Sequence, residues 1–318
     1  MNILVTGGSG FIGSHFIEET LKRSDITKLY NLDANTYASN KNLPFDTDSR
    51  YQKLTMDIAA AYFPSQKTFL ESLNLDYVVH FAAESHVDNS ITGPRKFIDT
   101  NIIGTFNLLE NFKSSNIKKF IHVSTDEVYG SLGSKEAEFN VDSPYRPNSP
   151  YAASKASSDL LVRSYIKTYK FPAIITNCSN NFGPRQFPEK LIPVCINKLI
   201  KKEPIPLYGN GENVRDWIYV KDHVNGLINV MDNGSIGKQY LIGGKNEISN
   251  IQLIHLLVAT YEQITNQKVD WKWFDYVTDR KGHDFRYAID VKDFEIEFPQ
   301  WKLTDFITNL KTTVQSYL

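Results

Sequence analysis

The feature that most constrains the fold is a glycine-rich stretch near the N-terminus, VTGGSGFIGSHF, from Val5 to Phe16. It follows a short β-branched run and opens a helical pattern, and Gly7, Gly10 and Gly13 allow a tight turn between the two. Such glycines let the backbone approach a pyrophosphate, while the helix N-terminus supplies N–H donors and a positive dipole. The stretch therefore predicts a strand–turn–helix unit that either binds a dinucleotide or only turns the chain.

Short apolar runs alternate with helical patterns through the first half of the chain. We predict strands at 2–6, 28–33, 50–57, 75–83, 118–124 and 171–179, and helices at 11–23, 95–114 and 150–169. Near-continuous apolar strands separated by helices indicate a parallel sheet that is covered on both faces. The predicted fold class is α/β, with a doubly wound parallel sheet of the Rossmann type over residues 1–177.

The pattern changes after residue 177. Prolines become frequent between 184 and 206, the turn sequence YGNGEN follows at 208–213, and several aromatic residues lie between 236 and 298. We expect residues 178–318 to form mainly a smaller mixed α/β domain that binds the substrate, with some segments returning to the first domain.

Composition and charge argue against several classes of protein. Of the 318 residues, 41% are hydrophobic and 22% are charged, and the net charge is −1. A chain without a basic excess lacks the electrostatic footprint of nucleic-acid or anionic-membrane binding. We find no apolar run of about 18 residues and no signal-peptide pattern. Cys178 and Cys195 have no metal-ligand spacing, so we expect a reducing, cytoplasmic setting and no metal site.

An acidic residue supports dinucleotide binding. Asp33 ends the predicted second strand, 20 residues after Gly13, where a carboxylate can accept a hydrogen bond from a ribose 2′-hydroxyl. A carboxylate there should repel a 2′-phosphate, so NAD is favoured over NADP. Asp57, in the sequence MDI, is a further candidate near the adenine, although it could equally cap the third strand.

A tyrosine and a lysine have a spacing that suits catalysis. In SPYAASK, Tyr151 and Lys155 are four residues apart, so on a helix their side chains share a face. A phenol with a pKa near 10 is a poor base at neutral pH, but a neighbouring lysine cation would lower that pKa. The spacing alone also fits a buried tyrosine beside a solvated lysine; the nucleotide-binding pattern upstream favours the catalytic interpretation.

Two acids follow the predicted strand 118–124. The sequence VSTDEVYG places Thr125, Asp126 and Glu127 side by side, and carboxylates are costly to bury without partners. They form either a solvated turn or an acid–base pair, since carboxylates in different environments can hold different protonation states.

Together these motifs resemble the extended short-chain dehydrogenase/reductase family and, within it, the nucleoside-diphosphate-sugar 4,6-dehydratases. The matching stretches are HFAAESHVDNSI (80–91), STDEVYG (124–130), SPYAASKASSD (149–159), NCSNNFGPRQFPEKLIP (177–193), VRDWIYVKDH (214–223) and DRKGHDFRYAID (279–290). The glycine and Tyr/Lys motifs identify only the superfamily, whereas TDE and FPEKLIP are far more specific. The resemblance spans nearly the whole chain.

The resemblance implies a reaction in three steps. The sugar is oxidised at C4, water is eliminated across C5 and C6, and the hydride of NADH returns to C6. Tyr151 would be the base for the 4-hydroxyl, with Lys155 beside it and Thr125 aligning the 4-oxygen. Glu127 would be the base at C5 and Asp126 the acid at the C6 hydroxyl.

The resemblance also implies two sets of ligand-binding residues. The cofactor set is Gly7, Gly10, Phe11, Ile12, Gly13, Asp33, Asn35, Thr36, Asp57, Ile58, Phe81, Ala82, Ala83, Ser85, Thr100, Tyr151, Lys155 and Asn181. The substrate set, for a nucleotide sugar, is Ser85, Thr125, Asn180, Glu189, Lys190, Leu191, Pro206, Tyr208, Arg215, Asn250, Arg280 and His283. Arg215 and Arg280 are the expected diphosphate ligands because a guanidinium binds phosphate through two bonds.

Two positions depart from the family pattern. Asn89 stands where an arginine is usual and Arg185 where an aromatic residue is usual; both should lie near the substrate. The nucleotide (thymidine or uridine) and the hexose stay open. A 4-epimerase or decarboxylase of nucleotide sugars would share the fold, but an epimerase needs no acid and base at C5 and C6. A non-enzymatic NAD-binding scaffold would not need the pair Asp126 and Glu127.

The resemblance implies a homodimer in which the helices 95–114 and 150–169 pair between two chains. Both segments carry more apolar residues than one sheet face needs: Phe106, Leu108, Leu109, Phe112, Leu160, Leu161 and Tyr165. The same residues could instead pack inside a single chain.

Overall fold

The computed structural model describes residues 1–60, 64–280 and 282–318, so Lys281 of the DRKGHD stretch lies outside the described residues. The strands are Asn2–Thr6 (β1), Lys28–Asp33 (β2), Tyr51–Thr55 (β3), Tyr77–His80 (β4), Lys119–Thr125 (β5), Ala173–Cys178 (β6), Asn180–Phe182 (β7), Ile205–Tyr208 (β8), Val214–Tyr219 (β9), Gln239–Ile242 (β10), Glu247–Ser249 (β11) and Phe274–Val277 (β12). The α-helices are Phe11–Leu21 (α1), Pro64–Ser72 (α2), Val87–Thr92 (α3), Pro94–Phe97 (α4), Thr105–Phe112 (α5), Pro150–Tyr169 (α6), Leu191–Lys201 (α7), Val220–Asn233 (α8), Asn250–Thr265 (α9), Lys292–Glu297 (α10) and Phe306–Gln315 (α11). No helix in these ranges combines the length and the apolarity needed to cross a bilayer.

A large parallel sheet organises the fold. Its strand order is β10–β6–β5–β4–β1–β2–β3, and each neighbouring pair runs parallel. The chain winds outward from β1 in one direction and then from β4 in the other, so the sheet is doubly wound, as predicted. In such sheets the ligand crevice opens at the carboxyl ends of the strands, where the winding direction reverses. The strand β10 belongs to the second half of the chain and returns to this sheet.

Two small sheets build the second, mixed part of the fold. One has the order β11–β9–β7 and the other pairs β12 with β8; β9 runs antiparallel to β11 and parallel to β7. One hydrophobic cluster joins both parts, since it includes Ile3 and Ile17 of the large sheet layer together with Ile218 and Leu253. The small part is therefore packed onto the large one through a shared core, which fixes the position of its loops over the sheet edge.

The predicted helix at 95–114 is not one regular helix. The chain forms α4, then a π-helix over Ile98–Gly104, then α5. Within the wide π turn, the Asn101 amide donates to the Glu84 carbonyl at 3.0 Å and to the Ser154 hydroxyl at 2.8 Å. π-helical turns occur mostly at functional sites, and this one places Thr100 at the sheet edge where the cleft opens.

The apolar residues of α5 and α6 divide between the interior and the surface. Leu108, Leu109, Phe112 and Tyr165 are buried within the chain, whereas Phe106 is 42% exposed and Leu160 is 55% exposed. The predicted excess of apolar residues on these helices is therefore smaller than the sequence pattern suggested, because one face of each helix already packs against the sheet.

Candidate active site

A cleft of about 350 Å³ lies at the carboxyl edge of the large sheet. Its walls come from the loops after β1, β2, β3, β4, β5 and β6, and from the segment 178–190. Every residue of the predicted cofactor set except Asn35 lines it: Gly7, Gly10, Phe11, Ile12, Gly13, Asp33, Thr36, Asp57, Ile58, Phe81, Ala82, Ala83, Ser85, Thr100, Tyr151, Lys155 and Asn181. The topology thus brings together motifs that are distant in the sequence.

The glycine turn has no room for side chains. Gly7 has φ +70°, and a Cβ added there would lie 2.7 Å from the Ala82 backbone. A Cβ added at Gly13 would lie 2.4 Å from the Gly7 carbonyl oxygen. The turn is consequently bare backbone, directly before the N-terminus of α1, and this is the cradle that a pyrophosphate requires.

Asp33 ends β2 at the cleft, and its carboxylate is held by the chain itself. It accepts from the Ser9 N–H at 2.9 Å, from the Asn35 N–H at 2.8 Å and from the Ser39 hydroxyl at 3.0 Å. Asn35 adopts a left-handed conformation with φ +54°, and its side-chain amide donates to Thr55 at 3.0 Å. The Asn35 side chain thus contacts β3 and lies outside the cleft lining, and its place in the cofactor set stays a prediction.

The end of β5 and the start of α6 meet in the cleft. Thr125 ends β5 and caps a 3₁₀ turn over Asp126–Tyr129, where its hydroxyl accepts from the Glu127 N–H at 3.3 Å. Tyr151 lies in the first turn of α6 and is 7% exposed. Burial and the nearby Glu127 raise the pKa of Tyr151 well above its usual value, and a hydrogen bond with Thr125 opposes that rise. These contacts bring the phenol, the threonine hydroxyl and Glu127 into one site.

Lys155 lies one turn after Tyr151 and is 4% exposed. Its ammonium donates to the Val123 carbonyl at 2.9 Å, and burial lowers its pKa. Burial and nearby carboxylates raise the Tyr151 pKa overall, and the lowering effect of Lys155 stays a prediction.

The two adjacent acids differ in environment. Asp126 is 1% exposed, and burial, Glu127 and Asp216 raise its pKa well above the usual value. Burial also raises the pKa of Glu127, but three cations (Arg280, Lys190 and Arg215) oppose that rise. Glu127 lines the cleft, whereas Asp126 lies outside the lining. Burial thus favours the protonated form of both acids, and only Glu127 has three cations that favour its charged form.

The predicted substrate residues fall into two groups. Ser85, Thr125, Asn180, Glu189 and Lys190 line the cleft. The cleft lining does not include Leu191, Pro206, Tyr208, Arg215, Asn250, Arg280 and His283.

Three of the residues outside the lining, Tyr208, Arg280 and His283, form a polar cluster. Arg280 lies 3.6 Å from the Asp88 carboxylate, and the Tyr208 hydroxyl donates to the same carboxylate at 3.5 Å. His283 contacts Asp279 at 2.5 Å, and burial lowers the His283 pKa to about 4. The cluster affects the cleft through its charge, since Arg280 is among the cations that lower the pKa of Glu127.

Arg215 is more deeply buried than a surface phosphate ligand would be. It is 4% exposed, donates to the carbonyls of Val214 at 2.7 Å and Asp284 at 2.9 Å, and stacks over the Tyr287 ring at 4.4 Å. Arg215 is thus bound to the 284–287 segment. Its positive charge still acts on Glu127 in the cleft.

Comparison with known proteins identifies the family. A family model described as GDP-mannose 4,6 dehydratase matches residues 4–310. The chain belongs to that family. A probable dTDP-glucose 4,6-dehydratase from Sinorhizobium fredii is 43% identical over 331 residues, which cover 100% of this chain and 93% of the relative.

Solved structures agree with this membership. A dTDP-glucose 4,6-dehydratase from Streptomyces venezuelae, solved with NAD bound, superimposes with a TM-score of 0.92 at 42% identity, covering 100% of this chain and 97% of that one. A UDP-glucuronic acid 4-epimerase from Bacillus cereus, solved with UDP-glucuronic acid and NAD, gives 0.88 at 27% identity, covering 99% and 98%. The chain is therefore an extended short-chain dehydrogenase/reductase of the nucleotide-sugar 4,6-dehydratase type.

Sequence reasoning missed several residues that line the cleft of this 4,6-dehydratase. They include Leu32, Tyr37, Ser39, Met56, Glu84, Lys96, Ser124, Cys178, Ser179, Gln186 and Phe187. Tyr37 lies edge-on to Phe187 at 5.3 Å, and the Lys96 ammonium lies 5.1 Å above the Tyr37 ring. The sequence could have indicated Tyr37, because it is an aromatic residue just after the Asp33 turn. Its contacts, however, come from Lys96 and Phe187, which are distant in the sequence.

Arg185 lies outside the cleft lining, so its predicted place near the substrate stays a prediction. The Arg185 guanidinium does not reach the cleft; it donates to Glu18 at 2.5 Å and lies 2.7 Å from the His15 ring nitrogen, both on α1. Arg185 has φ +67°, and its side chain is held by these two residues of α1. Asn89 donates to the Tyr37 hydroxyl at 3.5 Å. In this 4,6-dehydratase, the unusual residue Arg185 therefore binds the segment 183–190 to α1.

Proposed function

We propose that this chain catalyses the NAD-dependent 4,6-dehydration of dTDP-glucose to the 4-keto-6-deoxy sugar nucleotide. The observation that carries the proposal is the Asp126–Glu127 pair, placed beside Tyr151 and Thr125 and given two different environments. The choice of dTDP-glucose follows from curated relatives of that activity at 42–43% identity over nearly the full chain.

The residues of the cleft fit NAD as the cofactor. The bare glycine turn before α1 suits a pyrophosphate, and the Asp33 carboxylate at the end of β2 suits a ribose hydroxyl and disfavours a 2′-phosphate. When bound, NAD supplies a hydride acceptor for C4 and the hydride donor for C6. Lys155 and Asn181 complete the proposed cofactor set at the other end of the cleft.

In the first step Tyr151 takes the proton from the 4-hydroxyl. Only the phenolate form of Tyr151 can accept this proton; it becomes the phenol as the hydride leaves C4, so nearby positive charge has to offset the effect of burial on the Tyr151 pKa. Thr125 holds the 4-oxygen through its hydroxyl, which already contacts the phenol. The buried Lys155 cation supplies the positive charge that favours the phenolate.

In the second step Glu127 and Asp126 eliminate water. Once C4 is a ketone the C5 proton is acidified, and Glu127, whose charge is favoured by three cations, removes it. Asp126, whose burial keeps its proton, donates to the departing C6 hydroxyl. Two carboxyls whose pKa values are separated by environment can act as acid and base together.

The diphosphate is held by cations beside Glu127. Lys190 lines the cleft, and its ammonium donates to the Ser85 carbonyl at 2.7 Å. Arg280 lies 3.6 Å from Asp88, and its positive charge acts on Glu127. Asn180 has a side-chain oxygen that is buried without a partner, and this acceptor suits a sugar hydroxyl. The pyrimidine base would lie toward Glu189, Pro206 and Tyr208.

The same proposal includes a homodimer and a cytoplasmic setting. Phe106 and Leu160 offer exposed apolar surface on two helices that contact each other, and this surface is suited to pairing with a second copy. Cys178 and Cys195 are both free and buried, as is common for proteins of a reducing compartment.

The test is a substrate panel. The purified protein is incubated with dTDP-glucose, UDP-glucose, GDP-mannose and UDP-N-acetylglucosamine, and products are read by mass spectrometry and by the alkaline absorbance of 4-keto-6-deoxy sugars. The proposal predicts loss of one water from dTDP-glucose without net NADH formation. An isomer of unchanged mass would instead mean 4-epimerisation, and no turnover of any sugar would favour a binding role.

A further inference from the structure

A fully buried carboxylate lies behind the proposed catalytic residues. Asp159 is 0% exposed and lies one helical turn after Lys155, so that Tyr151, Lys155 and Asp159 follow one another at intervals of four residues on one face of α6. Neither the glycine motif nor the chemistry above uses it. Burying a charge is costly unless it is hydrogen-bonded and paired, and so its position requires a reason.

Asp159 joins several elements of the large sheet by hydrogen bonds. One oxygen lies 3.1 Å from the His122 ring nitrogen on β5. The other accepts from the Tyr145 hydroxyl at 3.0 Å and from the Asn177 amide on β6 at 3.1 Å. The same Asn177 amide also donates to the Thr125 carbonyl at 3.0 Å. The carboxylate is thus connected through one amide group to the strand end that carries the catalytic threonine.

Among the described charged groups, Asp159 has the largest effect on the Lys155 pKa. The described titratable groups that interact with Lys155 are His80 from β4, His122 from β5, Cys178 from β6 and Asp159 from α6.

Burial lowers the pKa values of both histidines, and it raises the pKa of Cys178 to about 12; these three groups are therefore neutral at pH 7. Burial lowers the Lys155 pKa, and Asp159 is the first of the charges that oppose this shift. Burial raises the Asp159 pKa, but the His122 hydrogen bond and the Lys155 charge outweigh it, so the net direction is downward.

We propose that Asp159 is a positioning residue that keeps Lys155 in its cationic form and ties the helix of Tyr151 to the strand end of Thr125. The proposal rests on the proposed function, because Lys155 matters to catalysis only if Tyr151 is the base. Asp159 touches neither substrate nor cofactor; it acts through Lys155 and Asn177.

The first test is Asp159→Asn, which keeps the shape and most hydrogen bonds but removes the charge. The pH dependence of the first hydride transfer is measured in a single turnover as NADH absorbance, since this step does not use Asp126 or Glu127. The expected result is a shift of the alkaline limb to lower pH by roughly one unit, the low end for loss of a neighbouring opposite charge. A rate lowered equally at every pH, with the limb unmoved, would overturn the proposal.

The matched control is Asp222→Asn. Asp222 is also a buried carboxylate, 2% exposed, and it accepts from the Thr304 N–H and hydroxyl at 2.9 Å, but it lies on α8 away from the cleft. This variant should leave the alkaline limb where it is in the parent enzyme. A shift of the same size in the control would mean that any buried charge change moves the profile, which would also overturn the proposal.

The second test needs no turnover and therefore separates this inference from the proposed function. Thermal unfolding is measured for Asp159→Asn, Lys155→Met and the double variant, all at pH 7. If the two charges stabilise each other, the double variant loses less in melting temperature than the sum of the single losses. Additive losses would refute the pairing. If the parent enzyme shows no hydride transfer with any sugar nucleotide, the proposed function fails, and this cycle still decides whether Asp159 supports the Lys155 charge.

Discussion

Replacing Asp126 with asparagine tests the protonation state of the buried acid. Asp126 is 1% exposed, and one of its carboxyl oxygens is buried without a hydrogen-bond partner. Its pKa in the folded chain is raised above the reference value of 3.8 by burial and by Glu127. Between these two pKa values the folded protein keeps a proton that the unfolded chain has released. The stability contributed by this group is therefore fully present below pH 3.8 and is lost as the pH rises through the raised folded pKa.

The magnitude follows from linkage. Each pH unit within that window costs about 1.4 kcal/mol of unfolding free energy for one group. The Asp126→Asn variant has no such group, so its stability relative to the parent should rise with pH at about this slope. Any hydrogen-bond defect of the new amide adds a constant offset and leaves the slope unchanged.

The assay is urea unfolding of both proteins at a series of pH values from 4 to 8. The control is Asp305→Asn at an exposed helix N-terminus, where the hydrogen bond to Thr308 lowers the Asp305 pKa. That titration is nearly complete about one pH unit above the reference pKa of 3.8, so the difference between the control and the parent should be nearly constant from about pH 5 upward. If the difference for Asp126→Asn were also nearly constant from about pH 5 to 8, Asp126 would be ionised in the folded protein, and it could not serve as the acid.

Three further predictions follow from the site and the surface. Glu127→Gln should stop elimination but permit oxidation at C4, so NADH absorbance should accumulate on the enzyme; normal yield of the 4-keto-6-deoxy product would refute the assignment. Tyr151→Phe should lower the turnover rate by roughly 10²–10⁴, the usual range for loss of a general base, while NAD binding measured by calorimetry changes little; more than a tenth of the parent rate would make Tyr151 structural. Leu160→Lys should convert a dimer to a monomer near 36.3 kDa in sedimentation, while the control Ile296→Lys, at a site 78% exposed on α10, should not; a parent protein that is already monomeric would exclude the dimer.

The parts of this protein that the sequence predicted well are those with a local signal. The glycine turn, the strand end at Asp33 and the four-residue spacing of Tyr151 and Lys155 each depend on a few consecutive residues. The parallel sheet then brings them together, because all of its strands end at the same edge. The doubly wound parallel sheet was predicted because apolar strands alternate regularly with helices.

The parts that the sequence did not reveal depend on contacts between distant segments. Asn35 contacts Thr55 on β3, Arg185 contacts His15 and Glu18 on α1, and neither residue lies in the cleft lining. The interruption of the helix at 98–104 by a π turn has no clear signature in IDTNIIG. Asp159 is joined to Asn177 and His122 only after two further strands have paired, so no spacing within α6 could have revealed its role.

The central claim is that one hydride leaves C4 of the sugar and returns to C6 of the same molecule. The most direct measurement uses dTDP-glucose that carries deuterium at C4, with the product analysed by NMR. The account predicts that the deuterium is found in the methyl group at C6, and that in heavy water one solvent deuterium enters at C5, where Glu127 has removed a proton. Deuterium that remains at C4 of an epimerised hexose, or that is lost from the sugar, would contradict it.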